Sequence, residues 1–286
     1  IYKDVAVDEI DKNIIPKKYK KDPDRNDGDD VCFNTNNKMP FCSTLKEEFG
    51  SLDNISIDYN NINHRKLIQF ISYCLDDEYI KRISQTTIDF QDQMIISDHF
   101  SKGQMASKFW LIDELKNIYF EPNYVCMYGG WYATIYQLLI REFNIKKFRN
   151  YEMDPAAAII ADRFNYKEIK DWKFKSVTAD VNTLYHTPDG VTKHKIQNEQ
   201  GELIPEDVKY DLIINTSCEH MDENWFEQLP AGQLVALQTN DYFSNDQHIN
   251  CVSDEDEANK KYPFSELLYK GTLNTPVYNR FMLIGR

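Results

Sequence analysis

Residues 124–161 read YVCMYGGWYATIYQLLIREFNIKKFRNYEMDPAAAIIA and hold two strand–turn–helix units in succession. Tyr124 to Tyr128 is a short apolar run that stops at Gly129-Gly130, and a helix-like stretch, Tyr132 to Phe143, follows. Phe148 to Met153 is a second strand, stopped by Asp154-Pro155 and followed by the helix-forming run Ala156 to Ala161. Asp before Pro also suits a helix start: the carboxylate caps a free N–H and the ring fits the first turn. Apolar strands alternating with helices are covered on both faces, so the pattern predicts a parallel sheet between two helical layers.

The alternation continues downstream. Phe174 to Ala179 is a third strand ending at Asp180, Tyr210 to Asn215 a fourth and Leu234 to Thr239 a fifth. Residues 185–207 form an insertion with a hairpin turn at Asn198-Glu199-Gln200-Gly201. Leu267 to Leu273 and Tyr278 to Ile284 close the chain as a strand pair. Upstream, Ser101 caps a helix reaching Ile118, with Met105, Phe109, Ile112 and Leu115 on one face. An earlier helical pattern runs from His64 through Leu67, Ile71 and Leu75 to Ile83, and residues 1–60, rich in Asp, Asn, Lys and Pro, read as an arm over the core. The expected fold class is α/β. It is a Rossmann-like three-layer sandwich with a mostly parallel seven-stranded sheet and a C-terminal antiparallel hairpin. That domain spans 101–286, and a helical and irregular region occupies 1–100.

Composition bounds the function. With 42% hydrophobic residues among 286, the chain can build a sizeable core. Asp+Glu 46 against Lys+Arg 33 gives a formal charge of −13, which argues against bulk nucleic-acid binding. No run of about 18 apolar residues exists to cross a membrane, and Ile1 to Ile15 lacks the apolar segment of a secretory signal. Six scattered cysteines read as reduced thiols, so a cytoplasmic location is expected.

In such sheets ligands bind beyond the carboxyl ends of the strands. The residues there are Gly129-Gly130, Asp154, Asp180, Ser217-Cys218-Glu219-His220 and Asn240-Asp241-Tyr242. Glycines let a backbone approach a ligand. An acid after the second strand can accept hydrogen bonds from two ribose hydroxyls, and one after the third from an adenine amino group. A dehydrogenase with a nicotinamide cofactor would use the first acid too, but the acid after the third strand and the closing hairpin argue against it.

This ordered set resembles the class I S-adenosylmethionine-dependent methyltransferases over roughly 101–286, and the whole chain resembles methyltransferase-like proteins of bacteriophages. The run from Tyr210-Asp211-Leu212-Ile213-Ile214 to Glu219-His220-Met221-Asp222 is similar to the segment after the fourth strand of small-molecule methyltransferases. The resemblance implies S-adenosyl-L-methionine as cofactor. Gly129 and Gly130 would line its methionine and ribose, Asp154 would hold the ribose hydroxyls, and Asp180 with Val181 would meet the adenine. Gln104 and Lys108, one turn apart on the preceding helix, would cover the methionine end. Two departures stand out: Met127 replaces the usual acid before the loop, and Gly129-Gly130-Trp131-Tyr132-Ala133 keeps one of three glycines of a Gly-x-Gly-x-Gly loop.

The implied reaction is in-line methyl transfer to a small molecule or an exposed side group, which needs positioning and often a base. Catalytic candidates are Glu219, His220 and Asp241, with Asn240 and Tyr242 as further hydrogen-bonding groups. A non-catalytic scaffold, or another transferase using the same cofactor, is the alternative that the altered glycine loop raises. Cys218-x-His220 and His248-x-x-Cys251 offer four ligands that zinc accepts. Neither pair has finger spacing, and no metal is assigned to them.

Overall fold

The computed structural model describes residues 78–90, 99–118, 121–198, 200–275 and 277–286. These residues fall within one compact unit, Asp58–Arg286. The expected arm and the helical pattern from His64 to Leu75 lie outside the described residues.

Three parallel strands with two helical crossovers build the first half. β1 (Tyr124–Tyr128), β2 (Lys147–Glu152) and β3 (Phe174–Thr178) are joined by α3 (Ile135–Glu142) and by α4 (Pro155–Phe164) with α5 (Tyr166–Lys170), after α1 (Glu78–Asp89) and α2 (Lys102–Asn117). A separate antiparallel sheet of β4 (Tyr185–His186), β5 (Val191–Gln197) and β6 (Leu203–Lys209) occupies the expected insertion. Then come β7 (Leu212–Asn215), α6 (Asn224–Glu227), β8 (Val235–Asn240), α7 (Glu255–Lys261), β9 (Leu267–Asn274) and β10 (Asn279–Gly285). The main sheet has seven strands in the order β3-β2-β1-β7-β8-β10-β9. β1, β2, β3, β7 and β8 run parallel, while β10 pairs antiparallel with both β8 and β9. The Rossmann-like sandwich with its closing hairpin is therefore present, and the chain reverses direction across the sheet between β1 and β7.

Alternation along the strands explains the two cores. Val125 and Met127 face a layer built with Leu111 and Leu115 of α2 and Leu139 of α3. Cys126 and Tyr128 face the opposite layer, with Ile196 and Val208 of the small sheet, Trp225 and Tyr262. That second face is covered partly by strands and not by helices alone. A charge cluster ties them down: the fully buried Arg149 of β2 meets Glu206 of β6 through Nε and Nη2, both at 2.7 Å. Lys147 and His194 join it at 2.7 and 2.9 Å. Burial alone would raise the Glu206 carboxyl, but the hydrogen bonds from Arg149 and His194 hold it well below the usual range.

Two sequence expectations shift. Ser101 caps α2 as expected, accepting the Gln104 N–H at 3.3 Å. The buried face of that helix, however, is Ser107, Lys108, Leu111, Ile112 and Leu115, and Phe109 is half exposed. The cause is polar pairing: Ser107 donates to Gln238 of β8 at 2.5 Å, which rotates the helix away from the apolar stripe that spacing picked. The helix after β1 starts at Ile135 and not at Tyr132, because the preceding loop takes up three left-handed residues first. α1, which the sequence placed with the preceding region, packs on α4 and α5 through Arg82–Glu168 at 3.0 Å and Arg163–Asp89 at 3.2 Å. No helix among the described residues is long and apolar enough to cross a membrane.

Candidate functional site

The loop after β1 has an unusual backbone. Gly129, Trp131 and Ala133 adopt φ of 59°, 50° and 48°. They occupy the first, third and fifth positions of the loop, where the Gly-x-Gly-x-Gly pattern would put its glycines. A non-glycine residue held left-handed costs about 1–2 kcal/mol, so Trp131 and Ala133 carry strain that their surroundings must sustain. They do so with hydrogen bonds. The Trp131 N–H donates to Glu152 Oε2 at 2.8 Å, and Asn150 donates to the Trp131 carbonyl at 3.2 Å. Ser217 donates to the Gly129 carbonyl at 3.0 Å, which ties the β1 loop to the loop after β7. Gly130 is required by space: a Cβ there would sit 2.1 Å from Asn150 Oδ1.

Glu152 is the acid that the sequence reading passed over. β2 ends at Glu152 and not at Met153. Its Oε1 accepts the Asp154 N–H at 3.0 Å while Oε2 takes Trp131. Burial raises its carboxyl above the usual value, opposed by those backbone N–H bonds. A carboxylate offers about four acceptor positions, so lone pairs are left for further donors. Asp154 is placed differently: it is exposed and caps α4 by accepting the Ala156 N–H at 2.8 Å. The readable signal was the alternation itself, since the last residue of a strand sits at the sheet edge and Asp154 lies two residues beyond.

The remaining cofactor-side candidates divide. Asp180 is exposed and caps a short turn by accepting the Asn182 N–H at 2.9 Å, while Val181 is buried. Lys108 of α2 is buried and donates to Gln104 Oε1 and to the His99 carbonyl, both at 3.4 Å. His99, which sequence spacing did not single out, stands edge-on to Trp131 at 5.2 Å and pairs with Thr134 at 2.5 Å. Burial, then the charge of Lys108, keeps its imidazole well below its ordinary pKa. Gln104 and Lys108 thus reach the loop through His99.

The other half of the edge is built from side chains. Glu219 is buried, and its Oε1 accepts from Asn240 at 2.6 Å and from Arg280 at 3.3 Å. Arg280 also donates to the Thr216 carbonyl at 3.1 Å. Burial alone would lower its pKa, but Glu219 beside it raises the net value. Arg280 was invisible to motif reading, although a single cation opening the apolar run Phe281–Ile284 was a usable sign. Asp241 is held by β10, accepting the Asn279 N–H at 2.7 Å and the Asn279 side-chain amide at 2.8 Å. His220 is exposed, with Nδ1 3.2 Å from the Gln247 carbonyl. Of the four zinc candidates, Cys218 is packed in the core with Sγ 3.7 Å from the Asn215 carbonyl, whereas His220 and His248 stack edge-on at 4.6 Å.

No protein-family model matches the chain, and no curated protein matches it. Among solved structures it is similar to a magnesium protoporphyrin IX methyltransferase from Synechocystis, at 13% identity and TM-score 0.46, over 76% of this chain and 95% of that one. It is similar to the cyclase SpnF at 8% identity and TM-score 0.48, over 65% and 84% of the two chains. A protein from Galdieria sulphuraria named as a sarcosine dimethylglycine methyltransferase aligns at 13% identity and TM-score 0.35 over 48% of this chain, which spans 46% of that protein. The fold assignment stands on the strand order and the antiparallel closing pair.

Proposed function

We propose that the chain binds S-adenosylmethionine beyond β1 and β2 and transfers its methyl group to a small molecule or an exposed side group. The observation that carries this reading is the loop Gly129–Ala133. It keeps a left-handed, close-approach path although two of its three left-handed residues are not glycine. Strain of that kind persists where a ligand needs the backbone shape.

The residues present suit the group. Glu152 has lone pairs to accept from the ribose hydroxyls, Val181 offers an apolar contact for the adenine and Asp180 an acceptor beside it. Lys108 and Gln104 supply donors on the side where a carboxylate would need them. When bound, the cofactor supplies an electrophilic methyl group on a sulfonium. The chain's own contribution is placement: the loop and Glu152 fix one end, and the β7–β8 half of the edge receives the acceptor. There His220 offers an Nε2 lone pair, able to take a proton or hold a ligand, while the Glu219–Arg280 pair keeps the floor of the site rigid. Asp241, bound to Asn279, shapes that floor as a positioning residue.

One observation favours a second reading, a scaffold that has lost the cofactor. The indole of Trp131 stacks on Tyr132 at 4.4 Å, and Met221 Cε lies 2.9 Å from where a Gly129 Cβ would be, so side chains crowd the loop. Calorimetric titration with S-adenosylhomocysteine decides between them. Saturable heat is the expected result. Heat with NAD alone, or with neither compound, overturns the proposal.

A further inference from the structure

We infer that Glu219, His220 and His248 form a binding site for a divalent transition ion of the zinc or cobalt class, at the ends of β7 and β8. One carboxylate oxygen of Glu219 and one ring nitrogen from each histidine lie within 4.8 Å of one another. They come from two separate loops, so the sheet order and not sequence proximity assembles them.

Three independent features point to a cation. The first is an unspent acceptor. Glu219 is 2% exposed, and its Oε2 has no hydrogen-bond partner, while Oε1 is already taken by Asn240 and Arg280. A buried carboxylate oxygen left without a donor is costly, and a coordinated ion would satisfy it. The second is the state of the imidazoles. His220 Nδ1 lies 3.2 Å from the Gln247 carbonyl and His248 Nδ1 lies 3.1 Å from the Tyr242 carbonyl. A carbonyl can only accept, so each Nδ1 carries a proton, and in the neutral ring the lone pair is then on Nε2. Backbone carbonyls fixing the tautomer in this way are the usual outer partners of metal-bound histidines. The third is the chemistry of the set. Two neutral imidazoles and one carboxylate make a borderline donor set that zinc takes with a fourth position left for solvent or substrate.

The spread of the three groups is close to what binding requires. Tetrahedral ligands about 2.0–2.1 Å from zinc are about 3.3 Å apart, and rotation of the exposed His220 ring can close the difference. Cys251 is not counted among the ligands. Its Sγ is directed to Asn240 Oδ1 at 3.4 Å and lies 3.7 Å from His248 Nδ1, on the side of that ring away from Nε2. This assignment replaces the cysteine-based set that spacing offered: Glu219 enters, and Cys218 and Cys251 leave. If the methyltransferase reading holds, an ion here would sit where the acceptor binds and would select one with an oxygen that can coordinate and lose a proton. Metal binding itself does not rest on that reading.

The test is titration of chelator-treated full-length protein with Co2+, read as visible absorbance, followed by displacement with Zn2+. One equivalent should bind the unsubstituted chain with a d–d band of low-symmetry coordination. His220→Ala and His248→Ala should each weaken binding by roughly tenfold or more, about 1.4 kcal/mol. Their apo forms should unfold close to the parent's temperature, since His220 is exposed and His248 only partly buried. Absence of the band in the parent chain, or stoichiometric binding that survives loss of both histidines, overturns the site. S-adenosylhomocysteine titration of the same apo sample separates the ideas: heat without a cobalt band leaves the cofactor reading and removes the metal, and the reverse does the opposite.

Discussion

The two halves of the sheet's carboxyl edge are made of different material. After β1 and β2 the site is mostly backbone: left-handed residues, amide N–H groups and one half-buried carboxylate that two of them clamp. After β7 and β8 it is side chain: a buried Glu219–Arg280 pair, an amide from Asn240, the exposed His220 and the partly buried His248. A backbone site tolerates changes in residue identity as long as the path survives, which is how Trp131 and Ala133 can stand where glycines are expected. A side-chain site fails when one partner is removed, because the other is left charged without its counterpart in a low-dielectric interior.

The largest expected effect is on the side-chain half. Glu219→Ala should destabilise the fold by about 3–5 kcal/mol in denaturant unfolding, since it strands Arg280. A change below about 1 kcal/mol would break the comparison. Arg149–Glu206 is the same device placed away from the edge, and Glu206→Ala should cost about 2–4 kcal/mol. That pair also sets a pH dependence. Because the Glu206 carboxyl is depressed from 4.5 in the folded chain, its contribution is complete above about that pH. It is lost as the pH falls through the lowered value, where the folded carboxylate takes up its proton. Stability followed by circular dichroism should therefore fall as the pH drops below about 4.5 in the parent chain, and Glu206→Gln should flatten that slope.

The backbone half should respond in ligand affinity more than in stability. Glu152→Ala should weaken S-adenosylhomocysteine binding by about 1.5–3 kcal/mol, roughly ten- to a hundredfold by calorimetry. An unchanged dissociation constant would remove Glu152 from the site. The smallest effect belongs to Asp154→Ala. Loss of the α4 cap should lower stability by about 1 kcal/mol in thermal unfolding and leave affinity within a few fold. Affinity lost to the same extent as in Glu152→Ala would restore Asp154 as the ribose contact and exchange the two roles.

Much of the edge was legible because strands and caps are local. Tyr124–Tyr128 was bounded correctly by an apolar run and a glycine pair, and Asp154-Pro155 announced α4 through capping chemistry alone. Where a local rule has two solutions, sequence alone does not choose between them. Asp154 and Glu152 are both acids near the end of β2, and only register decides that Glu152 is the one beside the loop. Spacing on α2 chose Phe109 for the core, yet the Ser107–Gln238 hydrogen bond sets the helix rotation, and that partner is far away in the chain.

By itself the sequence determined the alternation of strands and helices, the closing hairpin and the short list of polar residues at strand ends. Those follow from periodicity, capping and turn chemistry, which act over a few residues. Only the tertiary structure decided which of those residues meet. It set Arg280 of the last strand against Glu219, brought His220 beside His248 and left Cys218 in the core. The physical reason is that strand order places distant segments side by side, and burial then fixes which charges must be paired.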